Sequence, residues 1–203
     1  MAKNKGENIV TQEVEVEDLR QRAVVVAVIR DSQSIDHAQL SHRIVSENRW
    51  LDGMEGAKCI LDAVLFHNRR ELPENIDAAT EFVANALRDA DKLDIFNVLE
   101  ERVKNTDWEK DCSAFWNLPV AGLPNGAVVS AIRKGLPVDY RDIKSLSDFV
   151  LIQIGWMINE LHFSQSRRIC RERGHLEFRR AFLQKLTGGG VTDELCDLAD
   201  GAL

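Results

Sequence analysis

KCILDAVLFHNRRELPENIDAATEFVANALRDADKLDIF, residues 58–96, is the stretch that decides how this 203-residue chain reads. Ile60, Val64 and His67 are spaced four and three apart, so the imidazole projects from the apolar face of a helix. Leu87, Asp91, Ile95 and Val98 follow at four, four and three, which sets Asp91 among inward positions of the next helix. A carboxylate there is costly unless it is hydrogen-bonded, ion-paired or bound to a metal. An inward His and an inward Asp on consecutive helices suit a divalent ion. By spacing alone a plainer alternative stands beside it: a buried histidine with a backbone partner, and a carboxylate paired to Arg88 or Lys92.

Working upstream, His37, Leu40, Ile44 and Asn48 share one face of a helix predicted over 36–49, with Ser34 or Asp36 as its cap and His37 turned inward. Ala23–Ile29 is a β-branched run that propensity assigns to a buried strand, and residues 1–20 read as a frayed or loose edge. Downstream, a third helix is expected from about 78 to 103, with Asp89 on its solvent face. Thr106-Asp107-Trp108-Glu109 has capping spacing and predicts a further helix start. Residues 117–142 read as loop around a short apolar segment, and Ser145 or Ser147 caps a helix over about 148–163 that is apolar nearly all round.

In 167–185, Gly174 separates two helices, and the arginines of the second are expected to face outward from a Phe178, Phe182, Leu186 stripe. Gly188-Gly189-Gly190 then leads to a polar, acidic tail over 187–203. His162 and His175 read as structural.

The run Phe66-His67-Asn68-Arg69-Arg70-Glu71-Leu72-Pro73, followed by Arg88-Asp89-Ala90-Asp91-Lys92-Leu93-Asp94-Ile95-Phe96, resembles the back half of the HD-domain phosphohydrolases. Asp31-Ser32-Gln33-Ser34-Ile35-Asp36-His37-Ala38 is similar to the same family, and the likeness spans about residues 31–186. The resemblance implies an all-α, HD-like helical bundle behind an atypical segment 1–30. It implies a divalent ion (Mn, Co, Ni, Fe, Mg or Zn) at His37, His67 and Asp91, with Asp91 and Lys92 in the chemistry and Arg69 and Arg70 steadying a phosphate. For Arg69 and Arg70 the alternative is favourable charge at a helix C-terminus.

The family takes its name from a His-Asp pair that, with another ligand His, precedes the position of His37. This chain has no His before residue 37 and no His-Asp pair. The expectation is therefore a weakly held metal, if any, and impaired or lost hydrolysis of nucleotides or phosphate esters. The alternative is a non-catalytic HD-like protein that binds a ligand or partner, or a truncated gene product with a misassigned or frameshifted start.

Composition bounds the partners. Lys plus Arg is 26 against 33 for Asp plus Glu, a net −7, which argues against dedicated nucleic-acid binding but not against a phosphorylated small molecule or nucleotide. Hydrophobic residues at 44% and charged residues at 29% are those of a globular domain. Cys59, Cys112, Cys170 and Cys196 are scattered, and no apolar run reaches the ~20 residues of a bilayer span, so a reduced, cytoplasmic protein with no membrane partner is expected. A homodimer is compatible with all of this. Glycine-rich phosphate loops and nucleophile elbows are absent from the sequence.

Overall fold

The computed structural model describes residues 36–110, 115, 117–120 and 122–203. Among these residues the fold is all-α, with eight α-helices and no strand: α1 (His37–Glu47), α2 (Ala57–Phe66), α3 (Ala78–Asn105), α4 (Gly126–Arg133), α5 (Leu146–Asn159), α6 (Ser164–Glu172), α7 (His175–Thr187) and α8 (Val191–Ala202). A short 310 turn, Tyr140–Asp142, lies between α4 and α5. The apolar run expected as a strand, Ala23–Ile29, falls outside the described residues.

Ser145 starts the central helix. Its hydroxyl accepts from the Asp148 N–H at 3.2 Å, while the Asp148 carboxylate accepts from the Ser145 N–H at 3.1 Å, which satisfies two donors that a helix start leaves unpaired. Asp148 also accepts from Asn125 N–H at 2.7 Å, tying the start of α5 to the start of α4. Leu146, Val150, Leu151, Ile154 and Met157 are fully buried around the whole circumference of α5. Gly155 admits the closest neighbour: a Cβ there would lie 3.0 Å from the Ile132 side chain, so α4 sits directly on the α5 backbone.

Several expectations need correction. Residues 191–202, read as a polar tail, form α8 and contribute Leu195, Cys196 and Ala199 to the core beside α5 and α7. The apolar segment inside the expected loop is α4, capped by Asn125 through the Ala127 N–H. Thr106 does not open a helix: its hydroxyl donates to the Arg102 carbonyl at 2.7 Å, closing α3, and residues 108–110 are a turn. The helix predicted over 148–163 stops at Asn159.

That stop has a cause in α3. Asp89, expected on the solvent face, is 1% exposed. Its carboxylate accepts from the backbone N–H groups of His162 and Phe163 at 3.0 Å, and the His162 imidazole Nδ1 lies 2.9 Å away. Phe163 is the N-cap residue of α6 and gives it no side-chain cap, so the Asp89 carboxylate from α3 pairs the two N–H groups just ahead of the helix and fixes the turn at 160–163 that presents them.

Arg179, expected to face outward, is wholly buried. Its guanidinium donates to Glu100 at 3.0 Å, to Gln153 at 2.7 and 2.9 Å, and to the carbonyls of His175 and Phe96 at 2.8 and 3.1 Å. It also lies 4.4 Å above the Phe96 ring centroid. His175 completes the cluster through a 2.6 Å contact from Nδ1 to Glu100. Burial would raise the Glu100 carboxyl, but hydrogen bonds from His175 and Arg179 outweigh it and hold it below its ordinary value. Asp89 is lowered in the same way, its hydrogen bonds overcoming burial.

Two outcomes follow. Arg179→Met should lower the unfolding free energy by about 3–5 kcal/mol because Glu100 is left buried without its cation. Adding Glu100→Gln should recover part of that loss in urea denaturation. Folding also lowers both carboxyls from ordinary values of 3.8 and 4.5, so their stabilisation is present above that range and lost as pH falls through the lower folded values. Thermal midpoints should decline on acidification below about pH 4.5, and Asp89→Asn should flatten that decline.

Candidate functional site

A cavity of about 600 Å3 opens between α1, the end of α2, the middle of α3 and the 137–141 loop, with Trp156, Asn159, Glu160 and His162 on its far side. All the sequence-derived candidates border it: His37, His67, Asp91, Lys92, Arg69 and Arg70.

At one end the two imidazoles meet. Asp36 caps α1, accepting from the Ala38 and Gln39 N–H groups at 2.8 and 3.2 Å, and the same Oδ1 accepts from the Asn68 side-chain amide at 2.8 Å. This clasp joins the start of α1 to the end of α2, and so sets His37 against His67. Burial works to raise the Asp36 carboxyl, but Asn68 and the two backbone donors hold it below its usual value.

The imidazole nitrogens Nε2 of His37 and His67 are 3.0 Å apart, with ring centroids 5.0 Å apart and planes at 65°. His67 Nδ1 lies 2.7 Å from the Val64 carbonyl, which can only accept, so Nδ1 donates. A neutral His67 then offers its Nε2 lone pair, and His37 Nε2–H is its donor. The backbone partner anticipated for His67 is therefore present. Of its anticipated partners, Arg88 and Lys92, Asp91 forms an ion pair with neither: the Lys92 ammonium pairs with Glu160 at 3.6 Å, and Asp91 acts on it only through its charge.

Lys92 is 8% exposed, and burial pushes its ammonium below the ordinary value against the upward pull of Glu160. Arg88 donates to the Arg70 carbonyl at 3.3 Å, bracing the segment after α2 against α3. Arg69 rests its guanidinium 4.8 Å from the Phe66 ring centroid. Arg141 also borders the cavity and is paired with Asp139. Five cationic side chains (Arg69, Arg70, Arg88, Lys92, Arg141) thus border the cavity against three carboxylates, Asp91, Asp139 and Glu160.

The donor set tests the expected metal. Among the described residues, no three His, Cys, Asp or Glu side chains gather into a group that could hold a metal ion. The two imidazoles aim Nε2 at each other, and Asp91 borders the same cavity without forming such a group with them. What is present fits part of a ligand set and not a three-ligand centre. Two of the cysteines are poor nucleophiles: burial raises the Cys170 thiol to about 12 and the Cys196 thiol to about 11.

Glu160, His162, Asp139, Arg141 and Trp156 were not foreseen as part of the site, because their approach to α3 depends on pairings 60 or more residues away in some cases, such as His162 with Asp89 at a separation of 73. The buried stripe of α5 gave a signal only for Trp156. Among the described residues, no helix is long and apolar enough to cross a membrane. In comparisons with known proteins, no family model, no curated protein and no solved structure matches the chain.

Removing the clasp should be felt at the imidazoles. Asn68→Ala should cost about 0.5–1.5 kcal/mol in chemical denaturation and change the imidazole 15N shifts of both His37 and His67. Unchanged shifts would mean that the pair is set by other contacts.

Proposed function

We propose that the chain is an HD-like helical protein whose cavity takes the phosphate of a phosphorylated small molecule or a nucleotide, with hydrolysis impaired or lost. The observation that carries this reading is the convergence of Arg69, Arg70, Arg88, Lys92 and Arg141 with the His37–His67 pair on one cavity in a chain of net charge −7. An excess of cations that runs against the overall balance concentrates anions locally.

The chemistry of each group supports phosphate in particular. Guanidinium forks match phosphate oxygens in pairs, and Arg69 and Arg70 stand exposed at the rim where they can meet an entering anion. Lys92 is a buried ammonium whose carboxylate partner is at the long end of ion-pair range. A phosphate beside it offsets the desolvation that depresses the ammonium. The two imidazole Nε2 atoms, 3.0 Å apart, bring ring nitrogens to the same cavity, and a phosphate oxygen can accept from a ring N–H there. The apolar wall of Ile95, Ile152 and Trp156 accommodates the remainder of an ester.

Impaired hydrolysis follows from the ligand set. HD-type chemistry relies on an ion fixed by several His and Asp side chains, and the described residues supply only part of such a set. Even changes to residues supporting metal ligands typically cost ~10–100-fold in affinity or activity, so loss of ligands should cost at least as much.

Calorimetric titration of the full chain with a nucleoside monophosphate should show saturable binding. Arg69→Ala and Arg70→Ala should each weaken it about 3–10-fold, and Lys92→Met at least about 10-fold. Turnover of phosphomonoesters should stay poor with added manganese, cobalt or nickel, and any residue of it should vanish in Asp91→Ala. Binding unaffected by all three cation substitutions would overturn the site, and robust Asp91-dependent turnover would overturn the loss of catalysis.

A further inference from the structure

Resting on the reading of this cavity as a phosphate site, we infer that Asp139 is a resident competitor for it: a carboxylate of the chain that occupies Arg141 until a ligand anion takes its place. Both residues border the cavity. Arg141 Nε lies 3.0 Å from each Asp139 oxygen, and Nη2 donates to Oδ2 at 2.5 Å. The guanidinium thus presents to Asp139 the fork that a phosphate would use.

The contact does not depend on the core. The Arg141 side chain is 88% exposed and that of Asp139 is 37% exposed, so the pair is made and broken in water. Its partners are two residues apart on one short turn, and neither holds two elements together. Asp139 is held well below the usual carboxylate range, at about 2, by the Arg141 hydrogen bonds, with a further contribution from the charge of Arg70. Arg70 is another of the cavity cations, so this carboxylate lies within the field of two groups that the phosphate reading assigns to the ligand. Among the described residues, Arg69, Arg70 and Arg88 make no ion pair of their own, which leaves Arg141 as the rim arginine already engaged.

The backbone role of Asp139 separates cleanly from its charge. One of its oxygens accepts from the Arg141 N–H at 2.9 Å, capping the 310 turn. Asparagine and serine cap helical turns about as well as aspartate, so Asp139→Asn and Asp139→Ser keep the turn and remove the carboxylate.

The test titrates inorganic phosphate calorimetrically, at about 0.15 M ionic strength, where general surface charge is screened within ~8 Å, into the full chain and its variants. Removing an exposed competitor and its repulsion should tighten phosphate binding about 3–10-fold in Asp139→Asn and in Asp139→Ser. In an Arg141→Ala background the same substitutions should give no gain, and Asp142→Asn, which removes a neighbouring charge that does not border the cavity, should stay within about twofold of the parent. Unchanged or weaker binding in both Asp139 variants overturns the inference and leaves the phosphate site standing. A gain of equal size without Arg141, or from Asp142→Asn, also overturns it, since the effect would be general charge. Failure of every form to bind phosphate removes the phosphate site and this inference together.

Discussion

Charges on the buried side of α3 must find partners, and that requirement arranges what packs around the helix. Asp89, Lys92 and Glu100 are each 9% exposed or less. Left unpaired, each would carry a desolvation cost of several kcal/mol, enough to unfold a domain of ordinary stability. Asp89 gathers the donors at the start of α6, Lys92 draws in Glu160 from the end of α5, and Glu100 takes His175 and Arg179 from α7. Three successive charges thus fix three successive elements of the C-terminal half. The apolar surface of α5 supplies the driving force, while the charges on α3 select the arrangement.

The cavity is a by-product of the same constraint. Where α3 turns from Asp89 toward Phe96, Arg88, Asp91, Lys92 and Ile95 face a space bounded by α1 and α2 on one side and by the α5–α6 turn on the other. The Asp36–Asn68 clasp closes the first side, and the Asp89 contacts close the second. Both are carboxylates that gather backbone N–H groups, Asp36 those of its own helix's first turn and Asp89 those of the turn just before α6. The cationic walls therefore rest on side chains that are themselves fixed, which limits the ordering cost of binding an anion.

Much of the fold was legible in the sequence because its signals are local. The caps at Asp36 and Ser145, each one of two candidates in the sequence, the turn at Gly56 and the break at Gly174 each depend on residues within one helical turn. His37, His67 and Asp91 all border one cavity, although the inward face read through Leu87, Asp91, Ile95 and Val98 is not the buried one: Val98 is 38% exposed, and α3 buries Asp89, Lys92, Phe96 and Leu99 instead. What could not be read were pairings across long separations. Asp89 and Arg179 look like surface charges until their partners, 73 and 79 residues away, are known. Composition misled at 191–202, where four exposed or half-buried acids conceal the apolar stripe of Leu195, Cys196 and Ala199. The loop that carries Asp139 and Arg141 has no periodicity at all, and its place at the cavity comes only from the tertiary fold.

The proposed phosphate would lie between the imidazole pair and the cations of α3. The most direct measurement is a titration of the 15N-labelled chain with inorganic phosphate, followed through the side-chain nitrogens of its histidines and the Nζ of Lys92. Saturable changes are expected at His37, His67 and Lys92 with a shared dissociation constant, while the buried His175 stays unmoved. Shifts confined to other residues, or none up to concentrations at which weak anion binding saturates, would contradict this placement.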